Sequence, residues 1–440
     1  MIPLRDIFVS GTVLCLLPFC FLRPWIGILV WSWLGYMSPH KLTWAFARTL
    51  PFAQMIAIAT IIGVLACRDT EKRSIPWSRE TVLLICLWGV FTVSSFTAMY
   101  PEEAWRKWQD VSKILLFVVI TLKLFQTRER LKSLFLVVAL SIGFYGLKGG
   151  VWSMFVDFGM NRVQGPEETF IGGNTEVGLA LNMILPFLLC LSREEPNKYV
   201  RRLLQVIFAF SIVAVIFTYS RGAFLGLLVV LAMLFLRAKR RVVGVCLISI
   251  LAWFVSVFAP PAWFGRVETI QTYEQDKSAN MRLNSWKVAW LLALDHPLTG
   301  GGFWVLPHQE IYDRYSPGTE IANTAHSIYF AVLGDHGFPG LIVFGSLNLS
   351  ILWSLFRLRR KVAGVPNGSS IASYCEMLQA SIVAYLVSGA FLQQAYFDLF
   401  YHIISFAILL RVIAVREGLL NTQPQGSQRR YNRLLQATGV

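Results

Sequence analysis

Residues 203–236 read LLQVIFAFSIVAVIFTYSRGAFLGLLVVLAMLFL, and Arg221 is the one charge in the stretch. A hydrocarbon core about 30 Å thick is crossed by about 20 mostly apolar residues in a helix. The apolar runs on either side of Tyr219-Ser220-Arg221-Gly222 therefore read as two spans joined by a tight turn. Comparable runs lie at 7–22, 24–38, 50–66, 81–99, 111–125, 131–154, 175–192, 242–259, 327–356, 376–396 and 399–415. With this hairpin they make 12 or 13 crossings, because Arg23-Pro24 divides the first two runs and leaves both short. Thirteen spans put the N-terminus outside and 12 put it inside. The first run resembles a signal peptide but lacks a small-residue cleavage site, so it reads as an anchor. The fold class expected is all-α, a polytopic membrane helix bundle.

Composition agrees. Apolar residues make up 55% of the 440 and charged residues 15%, against about 25% charged in soluble domains. That argues against a water-soluble globular enzyme, and 14% aromatic residues argue against disorder. The net charge is +15. In a soluble protein such a charge would suggest nucleic acid, but here the basic residues sit in short clusters between apolar runs. Segments 67–80, 123–132, 193–202, 237–241, 357–376 and 411–440 hold 25 of the 40 Lys and Arg residues. By the positive-inside rule these are cytoplasmic and the alternate segments lie outside. The seven cysteines lie in or beside apolar runs, with no CxxC, and read as small buried apolar residues.

One outer segment, 260–326, is long and rich in Trp and Phe. Within it Ala279–Leu294 reads as an amphipathic helix with Arg282, Trp286, Ala289 and Trp290 near one face, ended by a turn at Gly300-Gly301-Gly302. The organisation expected is a transmembrane bundle over 1–259, a structured outer loop over 260–326, further spans over 327–416 and a cytoplasmic tail over 417–440.

Ionisable groups at membrane depth cost a few kcal/mol on insertion scales. Arg221 reads either as a snorkelling turn residue or as a guanidinium placed for an anionic headgroup, with Gly222 allowing a ligand near the backbone. His326 follows Asn323 and Thr324, either of which could cap the next helix and place the imidazole in its first turn. There it is either an interfacial histidine satisfied by a carbonyl or a neutral group able to take a proton from a hydroxyl. Arg282 and Arg162 taken alone are ordinary surface arginines. Gly334-Asp335-His336-Gly337-Phe338-Pro339-Gly340 breaks its span. Such breaks at membrane depth are tolerated against protein or a water-filled cavity, which suggests a polar cavity beneath the outer loop.

The sequence has no GxxxxGK[ST] loop, no HExxH and no outer Asp-x-Asp pair. An outer diphosphate would then be neutralised by arginines, whose planar fork suits bidentate contacts.

Three blocks carry a family resemblance: Tyr219-Ser220-Arg221-Gly222; Met281-Arg282 through Trp286 into Asp295-His296-Pro297-Leu298-Thr299-Gly300-Gly301-Gly302-Phe303; and Ala325-His326-Ser327 with Gly334 to Leu341. In order and spacing the chain resembles the bacterial O-antigen ligase and polymerase superfamily over about residues 160–400. Arg23-Pro24-Trp25-Ile26-Gly27 and Tyr36-Met37-Ser38-Pro39-His40 look like glycan ligases associated with exosortase systems. The family more often has asparagine at Ser327 and glutamate at Asp335.

The resemblance implies a metal-independent, inverting GT-C-type glycosyltransferase without a cofactor, in the bacterial inner membrane. It would move a glycan from undecaprenyl diphosphate to lipid A–core oligosaccharide at the periplasmic face. It implies Arg221 and Arg282 on the diphosphate and His326 as base, with Arg162, Asn174 and Asp335 as further substrate-binding candidates. The partners implied are the lipid-linked glycan, the lipid A–core acceptor and membrane lipids, with no nucleic acid. A polymerase or a protein O-oligosaccharyltransferase would use the same donor. A lipid-linked glycan transporter is a reading from another class.

Overall fold

The computed structural model describes residues 3–66, 74–237 and 277–420. Among them fourteen α-helices run in chain order: α1 (Leu4–Leu22), α2 (Pro24–Met37), α3 (Phe52–Ala66), α4 (Arg79–Phe96), α5 (Pro101–Leu124), α6 (Arg128–Phe155), α7 (Asn174–Glu194), α8 (Lys198–Ile216), α9 (Arg221–Leu236), α10 (Lys277–Asp295), α11 (Gln309–Tyr315), α12 (Ile328–Val362), α13 (Ser369–Gly389) and α14 (Asp398–Arg416). The protein is a polytopic helical bundle, with no strand among the described residues.

Eight of these helices are long and apolar enough to cross a membrane: α1, α4, α6, α7, α8, α12, α13 and α14. The sequence reading expected 12 or 13. Four of the remaining expected spans are helices that fall short of the same standard. α3 and α9 are apolar but shorter. α2 has 14 residues, about 21 Å at 1.5 Å each. α5 begins at Pro101, ten residues before its expected apolar run, and its first half carries Glu102, Glu103, Arg106, Lys107 and Asp110. The expected span 242–259 and residues 260–276 and 421–440 lie outside the described residues.

α7 and α14 run through the middle of the bundle, with most of their residues buried. α8 packs on α6 because glycines line the contact: a Cβ at Gly150 would lie 2.3 Å from the Phe210 carbonyl oxygen. Small residues let helix backbones approach in this way in membranes. α1 to α3 carry a separate small core of Val9, Val13, Leu34, Phe52 and Ile56.

Two buried polar groups show how the bundle satisfies charge and hydrogen bonding in a low-dielectric interior. The Asp6 carboxylate is fully buried and accepts backbone N–H groups of Trp44, Ala45 and Ala47 at 3.4, 3.2 and 2.9 Å. His402 Nδ1 lies 2.7 Å from the Tyr36 hydroxyl, and its Nε2 lies 3.4 Å from Thr121 Oγ1. Cys20, Cys190 and Cys375 are buried as expected, but Cys15 and Cys86 face outward, each on one flank of a single helix; all five are free thiols.

The break read in 334–340 is present. α12 is interrupted at Gly337, which adopts φ 65°, ψ −165°. The 297–302 turn packs against it and supplies hydrogen bonds. Gly301 and Gly302 N–H groups donate to the Gly334 and Asp335 carbonyls at 2.9 Å, and Phe338 N–H donates to the Pro297 carbonyl at 2.9 Å. The Gly334 and Asp335 carbonyls and the Phe338 N–H are groups that an interrupted helix leaves without their own partners. The approach is close: a Cβ at Gly300, which has φ +59°, would lie 2.5 Å from the Gly334 oxygen.

Candidate functional site

α10 is the amphipathic helix expected in the outer segment, and its Trp286 locks it to the start of α12. The indole N–H donates to the Ala325 carbonyl at 2.8 Å, and the ring stacks on Phe330 at 5.0 Å between centroids. The Tyr312 hydroxyl of α11 lies 2.7 Å from both Ser285 Oγ and the Asn323 carbonyl. These contacts fix the chain on the N-terminal side of His326.

His326 itself is not in the first turn of α12. The helix starts at Ile328, its N-cap is Ser327, and no side chain caps it. His326 stands one residue earlier with φ +45°, a left-handed conformation that costs a non-glycine residue about 1–2 kcal/mol. Its low basicity therefore does not come from a place in a helix's first turn. Burial is the largest cause holding the imidazole below its ordinary value of 6.5. The Arg282 guanidinium adds to it, and the Glu176 carboxylate opposes both. His326 therefore feels the charges of both Arg282 and Glu176.

Glu176 lies in the first turn of α7, where the Thr175 hydroxyl donates to its Oε2 at 2.8 Å. In the same turn Asn174 Nδ2–H donates to the Thr218 carbonyl at 2.8 Å, three residues before Arg221. Arg221 is the first residue of α9 and is half-buried. The turn before it is held by Ser220 Oγ, which accepts the Ala223 N–H at 3.2 Å. Tyr219, at φ +55°, donates its hydroxyl to the Gly159 carbonyl.

The end of α13 joins the two halves of the site. A Cβ at Gly222 would lie 3.0 Å from Phe391 Cβ, and one at Gly389 would lie 2.8 Å from Ile328 Cδ1. The Tyr329 hydroxyl donates to the Leu386 carbonyl at 3.0 Å. Residues 386–391 thus touch both the helix headed by Arg221 and the one preceded by His326. Gly222 serves this helix contact; the ligand access expected of it is filled by Phe391.

The remaining candidates divide. Arg162 is exposed on a segment that runs beside the hairpin, where Val163 N–H donates to the Phe217 carbonyl at 2.9 Å. Asn174 is in the cluster, with its amide engaged by Thr218. Asp335 is 1% exposed and turned inward. Its carboxylate accepts the Tyr396 hydroxyl at 2.8 Å and backbone N–H groups of Trp304 and Val305. His336 beside it lies 2.6 Å from Ser94 Oγ and 2.7 Å from the Tyr396 hydroxyl.

A cavity of about 290 Å³ opens beside the cluster. Glu176 forms part of its wall, with Lys107, Asp110, Gln394, Tyr396 and Asp398. Glu176 escaped the sequence reading, although an acid in the first turn of a helix two residues after Asn174 was visible there. Among the described residues no group of three His, Cys, Asp or Glu side chains is arranged to hold a metal ion.

The bundle defines a multi-pass membrane protein, and in it Arg282 and Glu176 act on the charge of a weakly basic histidine. Residues 206–345 match the family model described as O-antigen ligase, which supports the O-antigen ligase/polymerase superfamily for this chain. That interval contains Arg221, Arg282, His326 and Asp335. Residues 4–194, which contain Arg162, Asn174 and Glu176, match a family of unknown function. No curated protein matches the chain.

Proposed function

We propose that the protein transfers a glycan from undecaprenyl diphosphate to an acceptor hydroxyl of lipid A–core oligosaccharide, at the periplasmic face of the inner membrane. The observation that carries this reading is the half-buried His326, its basicity lowered by burial and Arg282 and opposed by Glu176, inside the interval that matches the O-antigen ligase family.

In this mechanism the neutral His326 takes the proton of the acceptor hydroxyl as its oxygen attacks the anomeric carbon. The bond from that carbon to the diphosphate breaks, and undecaprenyl diphosphate leaves with the electron pair. Attack opposite the leaving group inverts the anomeric centre. Arg221 and Arg282 bind the diphosphate and stabilise the charge that grows on it, with Arg162 at the rim as a third contact. Glu176 offsets the positive charge that arrives on the imidazole. Asn174 holds the hairpin that presents Arg221. Asp335 supports substrate binding from behind, by fixing the 302–305 turn. The cavity beside Glu176 receives the sugar: its three carboxylates against one lysine suit hydroxyl groups and disfavour a second phosphate.

The test is transfer in vitro. Purified protein is incubated with lipid-linked glycan and purified lipid A–core, and the acceptor is followed for a shift in size. Product appearing only on a protein, or only as longer chains on the lipid carrier, would replace the ligase reading with its protein-transferase or polymerase relative. Translocation of the lipid-linked glycan without any transfer would replace it with the transporter.

A further inference from the structure

α14 leaves the site end of the bundle at Asp398 and ends at Arg416 after 19 residues, a length of about 28 Å that matches one hydrocarbon thickness. At that far end a second cavity, of about 560 Å³, lies between the start of α4, the middle of α12 and the end of α14. One part of its wall is charged: Arg79, Arg411 and Arg416. The other part is apolar: Ile351, Ile408 and Val412. Trp77 also lines it and is 74% exposed, the amphipathic ring expected at headgroup level.

The charge in this wall is unbalanced. Among the described residues Glu80 is the only acid lining the cavity. Its Oε1 is already shared between the Ser350 hydroxyl at 2.8 Å and Arg79 at 3.3 Å. Glu417, one residue past Arg416, is taken by Arg128. Three arginines therefore line a space that also offers apolar walls at membrane depth; of their other contacts, Arg416 Nη1 donates to the Gln126 carbonyl and Arg79 Nη2 to the Ser350 carbonyl, both at 3.5 Å. A soluble phosphate would use the first feature and leave the second wet. A zwitterionic lipid would bring a cation among the arginines. A basic pocket between transmembrane helices on the cytoplasmic side is the kind of place that takes anionic headgroups.

We propose that this cavity binds one anionic phospholipid, with its phosphate on Arg79, Arg411 and Arg416 and its acyl chains along Ile351, Ile408 and Val412. The site is separate from the transfer chemistry and stands or falls without it. Its role is to hold the α4, α12 and α14 ends together through a ligand supplied by the membrane.

The experiment uses the full chain, purified in detergent and stripped of lipid, titrated with phosphatidylglycerol or phosphatidylcholine under native mass spectrometry. A single saturable phosphatidylglycerol adduct is expected, at concentrations where phosphatidylcholine gives none. Arg411→Gln and Arg416→Gln should each weaken that adduct about tenfold or more, the cost of one charge-assisted contact. Arg357→Gln, whose guanidinium sits 4.8 Å from the Trp353 ring centroid and does not line the cavity, should leave it unchanged. Equal binding of both lipids would overturn the proposal. So would equal weakening by Arg357→Gln, which would mean diffuse surface charge. Displacement of the lipid by glycerol phosphate at matched concentration would show that the apolar wall is unused and would overturn the lipid assignment.

Discussion

Replacing Trp286 by Phe tests whether His326 is positioned by the outer segment. Phenylalanine keeps an aromatic ring to stack on Phe330, 5.0 Å away, and removes only the N–H that donates to the Ala325 carbonyl at 2.8 Å. Ala325 is fully buried, so its carbonyl loses a partner that water cannot replace. A buried acceptor left in this state costs about 1–3 kcal/mol. The neighbouring His326 holds a left-handed backbone, φ +45°, at about 1–2 kcal/mol. The two terms are of equal size, so without the indole bond the 324–327 segment should relax and His326 should leave its position in many molecules. A shift of 1–2 kcal/mol is about a 5- to 30-fold change in population. The expected result is a 5- to 30-fold lower kcat for transfer, with donor KM unchanged because Arg221 and Arg282 are untouched. Steady-state kinetics with lipid-linked glycan and lipid A–core would measure both. A Trp286→Phe enzyme with wild-type kcat would refute the positioning argument, and one with raised donor KM and unchanged kcat would mean that Trp286 serves the donor.

His326→Ala should lower transfer by about 10²–10⁴-fold, the usual contribution of a positioned base, while a donor-binding assay stays near wild type; lost donor binding would make His326 a scaffold. The pH profile should fall on the acid side. The base works neutral, burial and Arg282 lower its pKa below 6.5, and so protonation removes activity only below that value and the rate stays level through pH 7–8. A midpoint above 6.5 would contradict this. Arg221→Lys and Arg282→Lys keep the charge but lose the planar fork, and each should cost about ten- to a hundredfold in rate; full activity in both would leave the arginines as bulk charge. Transfer should persist in excess EDTA, and a loss restored by magnesium or manganese would reveal a metal site.

The membrane spans were legible because burial in lipid is written as uninterrupted apolar sequence. Where charge and span share one helix, as in α5 from Pro101, the same rule reads only the apolar half. Arg221 and His326 stood out because each is a polar group in an apolar setting, whereas Arg282 taken alone read as a surface charge and was singled out only by the family resemblance. The conformation of His326 was not legible, since the carbonyl of its neighbour Ala325 is held by Trp286, 39 residues before Ala325. The inward turn of Asp335 depends on Tyr396, 61 residues on, and a local motif carries no trace of it. Glu176 reads as an ordinary acid in a helix's first turn until the fold brings His326 beside it.

The interrupted α12 has a consequence for how the chain assembles. The N–H groups that satisfy its broken middle come from Gly301 and Gly302, which leave the ribosome before the helix does. The 297–302 turn must already be folded back toward the bundle when Gly334 to Phe338 reach their places. The loop is thus a template for the helix and not a cover added afterwards. Cutting it out, or exchanging it for the loop of a relative without its glycines, would strand bare carbonyls in hydrocarbon and stall insertion at that span.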